Sequence, residues 1–305
     1  MIQTSGIFTG GGEGGKYKPY LTFRSAYPFT LSVATPGWDG TLEYSVDTET
    51  WAAFDGSQVT AALASAGNDA GYYALYLRGT GNTVMTGTTS SLPTGFTLSG
   101  SSIQCLGNIE TLLDYQTVEA GEHPTMGGAC FAKLFDSCPI VSAPELPALT
   151  LTQNCYRVMF RASDLVAAPE LPATTLAGQC YYGMFMACES LVYAPKLQKA
   201  ELAEYCYQLM FQGCPSLISL PLLRSTDAQA GGVGYFRTMF RSCEKLKLSD
   251  VQTEEYTQPY RIPASGEGGF PAFDLASMFT GTGGTFADTP TTDTTYYVSN
   301  TNIVV

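Results

Sequence analysis

The sequence predicts a β-rich chain in two parts, an N-terminal antiparallel β-sandwich followed by an α/β solenoid of stacked repeats. Two observations lead to this prediction. In the first part, apolar residues alternate with polar ones between closely spaced turn signals, as in short antiparallel strands. Farther on, a nine-residue phrase opens at residues 130, 155, 180, 206 and 235, so 25, 25, 26 and 29 residues separate its copies. A period in the twenties is typical of a solenoid.

Composition narrows the functions open to this 305-residue chain. Its formal net charge is −12, which disfavours binding to nucleic acid or to an anionic membrane surface. No apolar run reaches the about 18 residues that a transmembrane helix needs, so we expect no membrane span. The amino end has no basic segment followed by an apolar one, so we expect no secretory signal and synthesis in a cytoplasm.

The first part divides into a glycine-rich arm, residues 1–19, and a β-sandwich domain, residues 20–102. The arm contains GGGEGG, which is typical of a flexible segment unless it docks on a neighbouring subunit. In the domain, alternating stretches begin at Leu21, Phe29, Leu42 and Tyr73, with turn signals such as TPGWDG and AGNDAG between them. This spacing predicts an immunoglobulin-like sandwich. Residues 86–102 form either a linker or a last strand.

The solenoid is predicted to span residues 103–286. Near-helical spacing of apolar residues over 103–114 predicts a helix that caps its open end. Within the phrase, aromatic, Met and Cys residues recur at i, i+4, i+5 and i+8, which predicts one face of a short helix. Because proline lacks an N–H, we expect a two- or three-residue strand in a narrow parallel sheet that ends before the proline of each repeat: Pro144, Pro169, Pro195 and Pro221.

An insertion and a tail follow the fifth phrase. Residues 251–274 break the period, and insertions in repeat arrays form loops on one face, often the functional face. The sequence LASMF, residues 275–279, restores one last copy. The tail, residues 287–305, alternates Thr with apolar residues, so we expect it to add strands that cap the far end.

Eight of the nine cysteines lie within the phrases. Their placement predicts two ladders of buried thiols, one at the first phrase position and one at the last, because free cysteine behaves as a small hydrophobe. Disulfides between stacked coils are an alternative, since neighbouring strands lie about 4.8 Å apart, within the range of disulfide Cα separations. Synthesis in a cytoplasm favours free thiols.

The repeats resemble the BspA-like leucine-rich repeats. In CYRVMFRASDLVAAPELPATTLAGQCYYGMFMACESLVYAPKL, Cys-Tyr-x-x-Met-Phe alternates with Ala-Pro-x-Leu-Pro, and the likeness covers residues 103–286. Such repeats occur in surface proteins of gut bacteria and in virion proteins of their phages. The resemblance implies a leucine-rich-repeat solenoid with a role in adhesion or virion structure and no enzymatic activity. In the fifth unit, Tyr235 replaces the opening cysteine and no Ala-Pro follows.

The sequence predicts no catalytic residue, no cofactor and no metal site. The single histidine, His123, lies seven residues before Cys130. That cysteine opens the first phrase, so we expect it to be buried rather than nucleophilic. Cysteines eight residues apart do not match the C-x₂-C spacing of zinc ribbons.

The predicted partner-binding surface lies where the repeats differ from one another. Tyrosine recurs at the second phrase position and is expected to pack inside the array. Side chains at variable positions in the phrase and beside the strand are the candidates for contact with a partner: Arg157, Tyr182, Tyr193, Gln208, Ser219 and Arg237.

Three functions follow, in decreasing order of support. The first is a non-enzymatic structural and adhesion protein of a gut bacteriophage virion, such as a tail fibre or head appendage that recognises the host. It would be made in the host cytoplasm, form a homo-oligomer with a trimer favoured, and bind other virion proteins or a host cell-surface protein or glycan. The second is a leucine-rich-repeat adhesin on a bacterial cell surface. The third is a glycan hydrolase using carboxylate pairs such as Asp47 with Glu49 or Glu254 with Glu255, which have no evident support around them.

Overall fold

A computed structural model of the chain describes residues 19–87, 95–225, 227–228, 233–267, 275–299 and 302–305. Over these ranges the fold is mostly β, with several small open sheets and few helices. One hydrophobic core runs from Leu21 in the first strand to Val298 near the carboxyl end. The predicted glycine-rich arm lies outside the described residues, apart from Pro19.

Two sheets form the first part of the chain. Their strands are β1 (Leu21–Ser25), β2 (Thr30–Ser32), β3 (Thr41–Ser45), β4 (Ala52–Ala53), β5 (Val59–Thr60), β6 (Ala62–Leu63), β7 (Tyr73–Thr80), β8 (Thr97–Ser99), β9 (Ile103–Leu106) and β10 (Ile140–Ser142). A seven-stranded sheet has the order β10-β9-β1-β7-β3-β4, with β6 also paired to β7, and a three-stranded sheet has the order β5-β2-β8. The four stretches of period-two alternation each contain a strand, as predicted. A 3-10 turn, Gly67–Asp69, precedes β7.

Residues 103–119 form a strand and a helix rather than one helical cap. Strand β9 pairs antiparallel with β1, and β10 pairs parallel with β9, so the first sheet extends past residue 102, where the sandwich was expected to end. The helix α1, Thr111–Glu119, follows and packs on β7. Gly79 permits this close approach, because a Cβ at that position would collide with the Leu112 carbonyl.

The phrases are chains of turns, so the prediction of a short helix in each is wrong. Counting from the opening residue as position 1, N–H groups at odd positions donate to the carbonyl three residues earlier. At even positions they donate to a carbonyl of the next repeat, as Phe135 does to Met159 at 2.9 Å. An α-helix would use its N–H groups internally. The i, i+4, i+5, i+8 spacing fits both arrangements, because a turn structure with a four-residue period buries the same residues.

Every fourth phrase residue has a left-handed backbone. At positions 4 and 8, φ is positive and lies between 46° and 72°. β-branched residues rarely adopt this conformation, yet Val158 and Thr238 do so with φ of 46° and 55°. Their N–H groups donate to carbonyls of the next repeat at 2.8 and 3.0 Å. Hydrogen bonding between repeats therefore fixes a conformation that the local sequence alone does not favour.

Two lines of short parallel pairing connect the repeats away from the phrases. One contains the bridge from Ala167 to Tyr193 and strand β12 (Ser219–Pro221). The other joins Thr150 to Thr175 and continues through β11 (Glu201–Leu202) and β13 (Asp227–Ala228). The pairing is short and parallel, as predicted, but it follows two lines instead of one sheet and includes single-residue bridges where strands were expected. Strand β12 also includes Pro221 instead of ending before it.

The insertion and the tail meet in a last sheet. Its strands are β14 (Lys247–Ser249), β15 (Gln258–Ile262), β16 (Gly283–Gly284) and β17 (Thr294–Ser299), in the order β15-β17-β14-β16, while β18 (Asn302–Val304) pairs with β12. The tail thus forms strands, as its alternation predicts. The insertion was expected to form a loop, but part of it is strand β15, which pairs with β17. Residues 268–274 lie outside the described ranges. Tyr260 of β15 is buried, and its hydroxyl donates to the Pro221 carbonyl at 2.9 Å.

Candidate functional site

The phrases separate an inward set of side chains from an outward set. Positions 1, 2, 5, 6 and 9 are buried in all five phrases. At position 6 the rings stack nearly parallel with centroids 5.4 to 5.7 Å apart, through Phe135, Phe160, Phe185, Phe211, Phe240 and finally Phe279. A second stack at position 2 has centroids 5.7 to 5.9 Å apart, through Phe131, Tyr156, Tyr181, Tyr207 and Phe236. The recurring residues are therefore core.

All nine cysteines are free and buried. At position 9 the thiol donates to the phenylalanine carbonyl of the preceding repeat, at 3.0 Å for Cys188, Cys214 and Cys243. Burial raises the pKa of Cys188 to about 11 and that of Cys243 to about 12. Because the thiolate is the reactive form, these enclosed thiols are structural. Since all nine cysteines are free, no disulfide joins the stacked coils.

The histidine pairs with a glutamate. His123 Nδ1 lies 2.7 Å from Glu110 Oε2, and the Glu110 side chain is 2% exposed while that of His123 is 53% exposed. Burial raises the pKa of Glu110, and the hydrogen bond to His123 opposes this rise. Burial also raises the pKa of Cys130 well above its usual value. Sequence reasoning missed Glu110, because no motif links it to a histidine 13 residues away.

The outward side chains at phrase position 3 form one column. The carbonyls of Arg157, Tyr182, Gln208 and Arg237 accept position-4 N–H groups of the preceding repeats at 2.8 to 3.1 Å. The Arg157 guanidinium lies 5.0 Å from the centroid of the Tyr182 ring, a cation–π contact that orients both groups. Four of the six predicted contact residues therefore lie side by side.

A second outward column, at phrase position 7, escaped the sequence prediction. It consists of Asp136, Arg161, Met186, Gln212 and Arg241, and their neighbours at position 8 donate N–H groups across the repeats at 2.7 to 2.9 Å. Arg161 binds the Asp136 carboxylate through two hydrogen bonds, at 2.9 and 2.6 Å. The signal was present, since position 7 differs between repeats just as position 3 does.

We call these two columns together the phrase face. From the second repeat to the fifth, positions 3 and 7 of the same repeat are alike in charge. The second repeat carries Arg157 and Arg161, and the fifth carries Arg237 and Arg241. The repeats between them carry uncharged side chains: Tyr182, Met186, Gln208 and Gln212. With four arginines and Asp136 as its acid, the phrase face is basic in a chain whose net charge is −12.

The other two predicted contact residues lie away from the phrase face. Tyr193 is 50% exposed and pairs with Ala167 in a β-bridge. Ser219 is 1% exposed, and its oxygen accepts the Ala194 N–H at 2.6 Å. Ser219 therefore links two neighbouring repeats from inside. Its predicted contact with a partner fails because this strand-side position turns inward.

The carboxylates considered for glycoside hydrolysis form a turn or lie exposed. Asp47 Oδ1 accepts the N–H groups of Thr50 and Glu49 at 2.8 and 2.9 Å, which lowers its pKa. Glu254 and Glu255 are exposed. Among the residues that the structure describes, no three His, Cys, Asp or Glu side chains are grouped to hold a metal ion.

Comparison with known proteins identifies no relative of this chain. Within the described ranges, no helix is both long and apolar enough to cross a membrane. No protein-family model, no curated protein and no solved structure matches this chain. Its function must therefore be inferred from its own surface, where the phrase face combines a backbone that is hydrogen-bonded between repeats with outward side chains that differ from repeat to repeat.

Proposed function

We propose that this chain is a non-enzymatic recognition and structural protein, in which an immunoglobulin-like β-sandwich is followed by a leucine-rich-repeat solenoid. The supporting observation is the ladder of hydrogen bonds and stacked rings that joins repeats 1 to 5. A backbone held in this way presents its outward side chains in fixed register, so a partner binds with little loss of conformational entropy. Repeated inner positions and varied outer ones are typical of repeat proteins that bind through an extended surface.

We further propose that the protein belongs to the virion of a gut bacteriophage, as a tail fibre or head appendage. The resemblance of its phrases to BspA-like repeats supports this role, and several copies on one particle would convert weak contacts into avidity. The same resemblance supports a bacterial cell-surface adhesin as the alternative. Immunogold electron microscopy of phage particles and bacterial cells, with antibodies against the chain, separates the two. Label on particles supports the virion role, label on cell envelopes supports the adhesin, and label on neither contradicts both.

Cell binding tests the recognition role itself. Fluorescently labelled protein is expected to bind intact cells of some gut bacterial strains, and excess unlabelled protein is expected to displace it. If a broad panel of strains shows no displaceable binding, recognition of a cell surface is contradicted.

Assembly is tested by multi-angle light scattering. The proposed homo-oligomer, a trimer in the favoured case, should have a mass about three times that of the 32.6 kDa chain. A stable monomer at micromolar concentration would contradict it.

A further inference from the structure

The phrase face differs in charge from the molecule around it. Arg237 and Arg241 are exposed, and the Arg161 side chain is 39% exposed. Asp136 is the acid within the two columns, in a chain of net charge −12. A charged surface attracts and orients ligands of the opposite charge, and it repels ligands of the same charge. The face is therefore suited to an acidic ligand, although the whole protein would repel one.

The arginines stand in two pairs at a defined separation. Three repeat steps separate the pair Arg157–Arg161 from the pair Arg237–Arg241. Hydrogen-bonded backbones lie about 4.8 Å apart, so the pairs are about 14 Å apart. A guanidinium presents a planar fork of donors that fits a carboxylate. Arg161 uses two of its five N–H donors on Asp136 and retains the others. Acidic groups spaced along an extended polymer would match both pairs.

The surface between the pairs is uncharged, and it includes polar side chains. Tyr182 offers a ring whose position is fixed by Arg157, and such a ring packs against the apolar face of a sugar while its hydroxyl stays in water. Gln208 and Gln212 offer amides, which both donate to and accept from hydroxyl groups. Both kinds of side chain are suited to contact with a carbohydrate.

The backbone of the phrases argues against a peptide ligand. From Cys155 to Ser163 and from Cys180 to Cys188, every N–H group donates either to the carbonyl three residues earlier or to a carbonyl of the next repeat. A peptide that adds to a sheet needs unpaired N–H and carbonyl groups at an edge. The phrase face instead offers side chains, so an acidic polysaccharide fits it better than an acidic peptide.

We propose that the phrase face binds an acidic polysaccharide, whose carboxylates are held by the arginine pairs Arg157–Arg161 and Arg237–Arg241 and whose uncharged surface rests on Tyr182 and Gln208. This inference depends on the proposed recognition function and specifies its ligand class. The polymer spans at least four repeats, so fragments too short to bridge both arginine pairs bind more weakly than long ones.

Isothermal titration calorimetry with three carboxylated polymers tests the ligand class: polygalacturonate, alginate and polysialic acid. At least one should bind with Kd below about 1 mM, and affinity should fall as salt rises. Fully methyl-esterified polygalacturonate, which keeps the backbone and loses the charge, should bind at least tenfold more weakly than polygalacturonate if the latter binds. The proposal is overturned if none of the three polymers binds, if the ester binds as tightly as the acid, or if polyglutamate binds as tightly as the best polysaccharide.

Paired variants locate the site. Arg237→Ala with Arg241→Ala removes two exposed charges from the phrase face and should weaken binding at least tenfold. Lys196→Ala with Lys199→Ala removes two exposed charges elsewhere and should change binding less than twofold. Arg157→Ala provides a second test at the other pair, with melting curves to confirm folding. Equal affinity of the arginine variants and the wild type would overturn the proposal.

Cell binding separates this inference from the function on which it rests. If the arginine variants bind cells as well as the wild type, the acidic ligand is wrong and recognition stands. If the wild-type protein binds no cell, recognition fails as well.

Discussion

Hydroxyl groups of two buried tyrosines differ in what they contribute to stability. Among the described residues, the Tyr156 hydroxyl has no hydrogen-bond partner, whereas the Tyr260 hydroxyl donates to the Pro221 carbonyl at 2.9 Å. A buried donor without a partner costs about 1–3 kcal/mol of stability, while a satisfied one contributes about 0.5–1.5 kcal/mol. The same chemical group is therefore unfavourable at one position and favourable at the other.

Removal of each hydroxyl tests this difference. Tyr156→Phe is expected to leave the free energy of unfolding unchanged or to raise it by up to about 1 kcal/mol, because the ring stack is kept. Tyr260→Phe is expected to lower it by about 1 kcal/mol, because the Pro221 carbonyl loses its donor. Urea unfolding of both variants and the wild type measures the effects. Equal losses in the two variants would contradict the assignment.

The buried thiols give a second prediction for single residues. Burial raises the pKa of Cys180 and Cys243 to about 12 and that of Cys188 to about 11, so at pH 8 almost none of each is thiolate. Ellman's reagent at pH 8 should therefore react slowly with the native protein and rapidly with all nine thiols in guanidinium chloride. Rapid reaction of several thiols in the native protein would show that the ladders are open.

The turns of the phrases impose a backbone cost that substitution can relieve. Ser242 is exposed and has φ of 60°, a conformation that glycine adopts without strain. Ser190 is also exposed, and its φ is not positive. Replacing each serine by glycine therefore separates the effect of backbone conformation from the loss of a side chain.

We expect opposite signs for the two glycine variants. Ser242→Gly should raise the free energy of unfolding by about 0.5–1 kcal/mol, because it removes the cost of the left-handed conformation. Ser190→Gly should lower it by about 0.5 kcal/mol, because glycine increases the entropy of the unfolded chain. Thermal unfolding followed by circular dichroism measures both. A loss of stability in Ser242→Gly as large as that in Ser190→Gly would contradict the turn structure.

Sequence reasoning identified the buried phrase residues better than their backbone. Cys, Met and Phe at fixed spacing identify the core whatever secondary structure carries them. The conformation could not be predicted from local preference, because Val158 and Thr238 disfavour positive φ and are held there by carbonyls of residues 24 and 38 positions later. The helix predicted over residues 103–114 was wrong at its start for a related reason. Residues 103–106 form strand β9 because they pair with β1, about 80 residues earlier.

The candidate site could be predicted where its residues share one position of the repeated phrase. Arg157, Tyr182, Gln208 and Arg237 share one phrase position, so the repeat itself aligned them. The position-7 column follows from the same rule and was overlooked. Ser219 could not be placed, because whether a strand-side residue turns inward depends on the neighbouring repeat that supplies the Ala194 N–H.

Over the whole molecule, the first part of the chain takes the place of a repeat before repeat 1. The Met85 and Phe96 N–H groups donate to the Cys130 and Leu134 carbonyls at 2.8 Å, as positions 2 and 6 of a preceding phrase would. The Cys138 thiol donates to the Phe96 carbonyl at 3.1 Å, as later position-9 thiols do. The open end of the array is therefore covered by the first part itself.

This continuity predicts one cooperative unfolding transition. Phe96 also packs edge-on against Phe135 and Phe23, with centroids 5.7 and 5.9 Å away. Phe96→Ala should lower the stability of the whole molecule by about 3–5 kcal/mol, shifting a single calorimetric peak. Two peaks of which only one shifts would show that the parts unfold independently.

Footprinting distinguishes the phrase face from the rest of the surface. Hydroxyl radicals oxidise accessible Tyr and Met side chains, and mass spectrometry locates the oxidation. The ligand is the surface polysaccharide of a strain found to bind the protein in the cell-binding test. When it is added, we expect oxidation to fall at Tyr182 and Met186. Oxidation should stay unchanged at Tyr193 and Tyr27, which are 50% and 61% exposed and lie outside the phrase face. Protection of Tyr193 or Tyr27 without protection of Tyr182 and Met186 would contradict binding through the phrase face.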